Sequence, residues 1–186
     1  MLCSLALLAL AAQEPPMIEK PAEPAKPVVA RNLRYAEMDG VDAKFHSLDV
    51  YAPAKEGPHP VLVMVHGGGW RLGDKANRNM WKDKVPHFVG EGYVYISINY
   101  RLTNGEGVPQ HPAHIEDVAA ALAWVHDHVA DYQGDPNRIF VMGHSAGAHA
   151  VAHAATCTGT DLSSVASRKV MSSACVTAQR ARASDH

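Results

Sequence analysis

Three short apolar runs, each ending at turn residues, divide the body of the chain. Residues 61–65 form an unbroken apolar pentad, and residues 93–98 and 139–142 repeat this pattern. An apolar run of this length is typical of a strand that is buried on both faces of a parallel sheet. The pattern therefore predicts three central strands.

Apolar positions with helical spacing lie between the last two of these strands. Pro112 precedes them, and Glu116 and Asp117 lie where the first turn of a helix favours negative charge, so we interpret Asp117 as a helix N-terminal charge. Residues 134–137, Gly-Asp-Pro-Asn, are a turn signal that ends the helix. Strands alternating with a helix indicate a parallel α/β sheet. The positions with helical spacing are Ile115, Val118, Ala119, Leu122, Val125 and Val129.

Two further regions belong to the predicted core. Residues 33–38 and 45–51 resemble short strands separated by the turn dipeptide Asp39-Gly40, which predicts an antiparallel lead-in. Between residues 75 and 91 Pro86 interrupts the helical pattern, yet parallel flanking strands require a crossover there.

The N-terminus is expected to hold processing signals. The apolar run of residues 2–12 is far shorter than the roughly 20 residues of a membrane span. Its length suits a signal peptide over residues 1–12, although no Lys or Arg precedes the run, and a short buried or frayed segment is the alternative. Residues 13–30 are rich in proline and are predicted to be a linker. We therefore expect a secreted or periplasmic protein whose core spans residues 31–160, followed by an atypical tail over residues 161–186.

Charge and cysteine content exclude several function classes. The chain of 186 residues carries 17 Lys and Arg against 19 Asp and Glu, a net charge of −2, which gives no reason to expect a nucleic-acid or anionic-membrane partner. Cys3, Cys157 and Cys175 form no Cys-x-x-Cys pair that would suggest zinc or dithiol chemistry. If Cys3 leaves with a signal peptide, the other two can pair in an oxidising compartment, and the sequence leaves that pairing open.

A serine lies between two glycines directly after the third strand. The segment 143–147 reads Gly-His-Ser-Ala-Gly and opens a stretch of good helix formers. A sharp turn from strand to helix holds such a serine in a strained conformation, and glycines on both sides avoid clashes with the neighbouring strand and helix. The amide of Ala146 would lie at a helix N-terminus, which favours an anion.

A second motif follows the first strand. The segment 66–70 reads His-Gly-Gly-Gly-Trp. Successive glycines leave backbone amides unshielded, so that they can point at an oxyanion that develops near the serine. Either motif alone is weak evidence, whereas both together, each after a strand, indicate nucleophilic catalysis on a carbonyl.

On these motifs the chain resembles the α/β-hydrolase superfamily, and within it the HGGGW-containing esterases and lipases of the hormone-sensitive-lipase and feruloyl-esterase-like groups. The matching motifs run from about residue 48 to residue 153. The resemblance implies a three-layer α/β-hydrolase fold, with a mostly parallel sheet and helices on both faces. It also implies a serine esterase that acts on a small-molecule ester through an acyl-enzyme, without a cofactor. Ser145 would be the nucleophile, Gly68, Gly69 and Ala146 would be the oxyanion donors, and His66 would be structural.

The triad acid and base remain unassigned. In this superfamily they follow the serine and lie after two later strands, and a strand-helix-strand unit takes on the order of 30 residues. Asp161 lies in the wrong context, and no strand positions Asp185 or His186. We therefore expect a sheet that is incomplete at its C-terminus, in a truncated or frame-shifted version of a longer exported esterase.

Several alternatives stay open. An inactive hydrolase-like chain would carry the same motifs without a base. His149 and His153 stand four apart on a predicted helix and would suit zinc, but no third ligand or H-E-x-x-H motif accompanies them. Trp70 is expected to pack beside the glycine loop, with a place in the acyl pocket as the alternative. Acyl-sugar, feruloyl, simple carboxyl-ester and arylformamide substrates all fit.

Overall fold

A computed structural model describes residues 28–78, 80–103 and 111–158. Short 3-10 turns at Ala43–His46 and Val129–Tyr132 and a π turn at Met80–Lys84 join the main elements. The main elements are β1 (Val28–Arg34), β2 (Ser47–Ala52), β3 (His59–Val65), α1 (Val85–Gly90), β4 (Val94–Ile98), α2 (Ala113–His128), β5 (Gly134–Gly143) and α3 (Ala146–Thr158).

The strands form one sheet in the order β1-β2-β4-β3-β5. Strand β3 lies between β4 and β5 and pairs in parallel with both. Strand β2 is antiparallel to both β1 and β4, so it alone of the described strands runs against the rest. The prediction of a mostly parallel sheet is confirmed.

Helices cover both faces of this sheet. Alternate residues of β3 point to opposite sides, as in any strand. Val63 packs in the larger core with residues of α2 and α3, whereas Leu62 packs in a smaller cluster beside Phe88 of α1. The predicted three-layer α/β arrangement is therefore confirmed, with α2 and α3 on one face and α1 on the other.

The predicted antiparallel lead-in exists, but its first strand is displaced. Strand β1 begins at Val28 rather than at residue 33, so residues 28–30 lie in the sheet and not in the linker predicted over residues 13–30. The β-branched Val28 and Val29 pair with Ala52 and Tyr51 of β2, and this pairing extends the strand towards the N-terminus.

Two loop predictions also need correction. Residues 134–137 were expected to form a turn, yet they lie within β5, where Gly134 pairs with His59 of β3. Pro86 does not end the helical segment, because it lies in the first turn of α1, directly after the π turn Met80–Lys84.

Several expectations lie outside the described residues. They concern the signal peptide, most of the linker, the tail over residues 161–186, the pairing of Cys175, and Asp161, Asp185 and His186. These stay predictions. In the part of the chain that the structure describes, no helix is long and apolar enough to cross a membrane.

Candidate active site

Ser145 lies on the sharp turn that joins β5 to α3. The strand ends at Gly143 and the helix begins at Ala146, so only two residues reverse the chain. Ser145 has a φ of 53°, in the left-handed region that non-glycine residues rarely adopt. Such a conformation stores on the order of 1–3 kcal/mol and holds the exposed serine at the carboxyl edge of the parallel strands.

The two flanking glycines allow this turn to pack tightly. A Cβ on Gly143 would lie 2.5 Å from the backbone nitrogen of Ala148 in the following helix. A Cβ on Gly147 would overlap the carbonyl oxygen of Val65, at the end of the neighbouring strand β3. Both positions exclude a side chain, as the motif predicted.

The glycine loop after β3 meets the serine turn. A Cβ placed on Gly67 would lie 3.1 Å from the Cβ of Ser145, so the base of the loop is packed against the turn. Beyond this point Gly68 and Gly69 have φ values of 124° and 61°, and the amide of Leu72 donates to the Gly68 carbonyl at 3.0 Å. These conformations require glycine at Gly68, where a side chain would also overlap Leu72.

Three backbone amides at this junction are unused. Among the described residues, the amides of Gly68, Gly69 and Ala146 donate no hydrogen bond. Ala146 is the first residue of α3, where the helix dipole adds partial positive charge. Backbone amides without partners are donors that can stabilise a negatively charged oxygen placed near them.

His66 fixes the base of the glycine loop. Its Nδ1 donates to the Gly67 carbonyl at 2.8 Å, and its ring stacks on Tyr100 with 4.5 Å between centroids. The Tyr100 hydroxyl donates to the His66 carbonyl at 2.8 Å. Burial lowers the pKa of His66, so the ring stays neutral and keeps these bonds at neutral pH. The expectation of a structural role agrees with these contacts.

A buried ion pair anchors the far end of the loop. The Nζ of Lys75 lies 2.6 Å from Oδ1 of Asp49 in β2 and also donates to Asn32. The Lys75 amide donates to Asn99 Oδ1, and Asn99 in turn donates to Asp74. Asp74 and Lys75 thereby fix the end of the loop, and the sequence analysis missed the part of Lys75.

Asp117 is a buried hub rather than only a helix N-terminal charge, which corrects the sequence interpretation. Its side chain is 5% exposed. It accepts from the Arg101 guanidinium at 2.7 and 2.8 Å and is bonded to Nε2 of His46 at 3.1 Å. Arg101 directly follows Tyr100, so this cluster ties α2 to the segment that supports His66.

No described residue is positioned as the triad base or acid that the family resemblance implies. His46 is 2% exposed and its Nε2 is committed to Asp117. His126 pairs at 3.1 Å with Asp127 in the last turn of α2. These are the two histidine–carboxylate pairs among the described residues, and Ser145 belongs to neither.

The structure gives no support to a metal centre. The rings of His149 and His153 lie side by side on α3, with 4.5 Å between centroids. Yet no three His, Cys, Asp or Glu side chains of residues 28–78, 80–103 and 111–158 are arranged to hold a metal ion.

A cavity of about 430 Å³ opens beside the glycine loop. Trp70 separates the loop from the helices, since its ring stacks on His114 at 5.8 Å and meets His149 edge-on at 5.4 Å. Trp70 packs beside the loop, as expected, and also lines this cavity, while its alternative place in an acyl pocket stays a prediction.

Comparison with known proteins assigns the chain to a family and finds esterases among its relatives. Residues 48–179 match the BD-FAE family. The chain belongs to the BD-FAE family. It is 43% identical over 98 residues to esterase LipQ of Mycobacterium tuberculosis, an alignment that covers 52% of this chain and 22% of LipQ. It is 45% identical over 92 residues to carboxylesterase NlhH of the same organism, covering 47% of this chain and 26% of NlhH.

Solved structures place this BD-FAE chain in the α/β-hydrolase fold. The structure of esterase B from Lactobacillus rhamnosis matches with a TM-score of 0.59 and 27% identity, and covers 72% of this chain and 40% of esterase B. Of the two relatives named above, LipQ and NlhH, the chain spans about a quarter of the length. The predicted family resemblance and fold class are confirmed.

Proposed function

We propose that this chain carries the nucleophile and oxyanion hole of a serine carboxylic-ester hydrolase. The observation that carries the proposal is the contact between the base of the glycine loop, at Gly67, and the serine turn. The amides of Gly68, Gly69 and Ala146, which lie in these two segments, donate no hydrogen bond among the described residues. Relatives named esterase and carboxylesterase support the reaction class.

In the proposed reaction, Ser145 Oγ attacks the ester carbonyl carbon and forms a tetrahedral intermediate. Negative charge moves to the carbonyl oxygen, where the amides of Gly68, Gly69 and Ala146 donate to it. One donor of this kind is worth roughly 3–4 kcal/mol in comparable enzymes. The alcohol then leaves with a proton, and water hydrolyses the resulting acyl-enzyme.

The amides act well because they are fixed before the reaction. His66, Tyr100 and the pair Lys75–Asp49 hold the loop at both ends, so no reorganisation is needed as charge develops. The strained φ of Ser145 keeps its hydroxyl at the edge of the sheet. The base that takes the serine proton, and the acid that orients it, are not assigned among the described residues.

The test is hydrolysis of short-chain 4-nitrophenyl esters together with fluorophosphonate labelling of the full chain. We expect turnover and labelling in the wild type and loss of both in Ser145→Ala. Ser47→Ala is the matched control, because Ser47 only donates to the Lys44 carbonyl at the start of β2. Equal labelling of wild type and Ser145→Ala would overturn the nucleophile assignment.

A second candidate is a hydrolase-like chain without catalysis. The observation that favours it is that both described histidine–carboxylate pairs lie apart from Ser145 in the hydrogen-bond network. This alternative predicts a folded far-UV circular dichroism spectrum with no ester turnover and no labelling, so the same assay separates the two.

A further inference from the structure

The cavity beside the glycine loop is lined by basic and aromatic side chains. Gly69 places it next to the proposed oxyanion hole, and His149 lies on α3 one turn after Ser145. Its volume of about 430 Å³ lies within the range of small-molecule sites. The lining residues that matter here are Gly69, Trp70, Arg71, His111, His114 and His149.

Four histidines form a continuous cluster of rings, and three of them, His111, His114 and His149, line this cavity. His111 and His114 lie at the start of α2, with 6.3 Å between ring centroids. His153 of α3 lies 5.8 Å from His111 and 4.5 Å from His149. The rings therefore connect the start of α2 to the helix that begins beside Ser145.

The charge of this wall is positive or neutral. No acidic side chain lines the cavity within the described part of the chain. Arg71 lines it as an exposed cation, and no described carboxylate pairs with its guanidinium. The carboxylate of Asp117 acts electrostatically on His114, but its oxygens are already bonded to Arg101 and His46. A negatively charged group would therefore meet Arg71 and the histidine rings at this wall, and no described carboxylate.

Polar atoms at the wall are also left without partners. His114 is 5% exposed and its Nδ1 bonds to no described residue. The Nε1 of Trp70, which can only donate, is likewise buried and bonds to no described residue. Unpaired buried polar atoms are costly, typically about 1–3 kcal/mol each, so both side chains would gain from a rearrangement that gives these atoms a partner.

We propose that this cavity is a subsite for an anionic group, so that the preferred ester carries a carboxylate or similar small anion beside the scissile bond. The inference rests on the proposed function and names the substrate class of the same site. Arg71 supplies the permanent charge, the histidine rings supply donors, and Trp70 supplies a flat apolar wall for the body of the ligand.

The subsite should respond to pH. Burial lowers the pKa of His114, as do His111, Arg101 and His149, while Asp117 opposes this effect. A bound anion favours the protonated rings, so anion binding takes up protons and becomes tighter as pH falls from 7.5 to 6.0.

Benzoate and its neutral isostere benzamide test this directly with the full chain. Binding is followed through the histidine Cε1–H resonances by NMR at pH 6.0 and 7.5. We expect saturable shifts with benzoate that are stronger at pH 6.0, and no comparable binding of benzamide. Arg71→Gln should weaken benzoate binding about tenfold. Arg138→Gln is the matched control, because the exposed Arg138 lies in β5 and pairs with Asp135, and it does not line the cavity.

Each result of the binding experiment either supports or overturns the anionic subsite. Ester hydrolysis is measured in a separate assay. Benzamide binding as tight as benzoate binding, or Arg71→Gln binding as well as wild type, would overturn the anionic subsite. Absence of benzoate binding would do the same. Ser145→Ala should bind benzoate like wild type, so failure of the nucleophile and failure of the subsite are distinguished.

Discussion

The Nζ of Lys75 lies 2.6 Å from Oδ1 of Asp49, and the two side chains are only 6% and 2% exposed. The pair joins the end of the glycine loop to the central part of β2. Because both charges are desolvated, each depends on the other. The position of the proposed oxyanion amides thus rests on an ion pair between residues 26 positions apart.

Lys75→Met should destabilise the protein strongly. The substitution leaves Asp49 as an unpaired buried charge, which costs about 3–5 kcal/mol. Urea denaturation measures the loss in the free energy of unfolding. Arg34→Met is the control, because the Arg34–Glu37 pair is largely exposed and should contribute less than about 1 kcal/mol. Equal effects of the two substitutions would show that the buried pair does not hold the loop.

Gly147→Ala should damage both stability and ester hydrolysis. The added methyl group would overlap the Val65 carbonyl at the end of β3, and overpacking of this kind costs about 1–3 kcal/mol. Thermal unfolding and 4-nitrophenyl ester turnover measure the two effects. Gly90→Ala is the control, since a Cβ there meets nothing within 4 Å. Wild-type turnover in Gly147→Ala would contradict the tight packing of the turn.

Tyr100→Phe should weaken the support of the glycine loop without unfolding the protein. Burial raises the pKa of Tyr100 to about 12, so the hydroxyl keeps its proton and donates to the His66 carbonyl at every ordinary assay pH. We expect a loss of about 1 kcal/mol in stability and slower hydrolysis. Tyr93→Phe removes a hydroxyl that bonds no described residue, so it should change neither quantity.

Stability should fall in mildly acidic solution. Burial lowers the pKa of His66, and burial likewise lowers the pKa of His114. At a pH below about 6.5 the unfolded chain therefore binds protons that the folded chain does not yet bind. The contribution of the two neutral histidines to stability is complete above that pH. It is lost as the pH falls through their pKa values in the folded protein.

Urea denaturation at pH 7.5 and pH 5.0 measures this effect. The free energy of unfolding should be lower at pH 5.0, and the difference between the two values should shrink in His66→Gln. A protein that becomes more stable at pH 5.0, or a variant that keeps the full difference, would contradict the account.

The central strands could be predicted from sequence because burial on both faces makes them nearly continuous apolar runs. Strand β3 and the serine turn appear where the pattern places them. The start of β1 could not be predicted this way, because Val28 gains its place only by pairing with Ala52, 24 positions later. The local strand propensity of residues next to a proline-rich segment does not reveal such a distant partner.

The same reason explains which parts of the candidate site were missed. Asp117 and His46 are 71 positions apart, and a single sequence contains no signal that pairs them. The motifs predicted the serine turn and the glycine loop because both depend on local backbone geometry. The supporting ion pairs depend on contacts across the sheet, which only the structure reveals.

The most direct test of the central claim is a crystal structure of the full chain after reaction with a fluorophosphonate. The account predicts phosphorus bonded to Ser145 Oγ, with the phosphonyl oxygen about 2.7–3.1 Å from the amide nitrogens of Gly68, Gly69 and Ala146. An adduct on another residue, or an oxygen turned to solvent away from these amides, would contradict it.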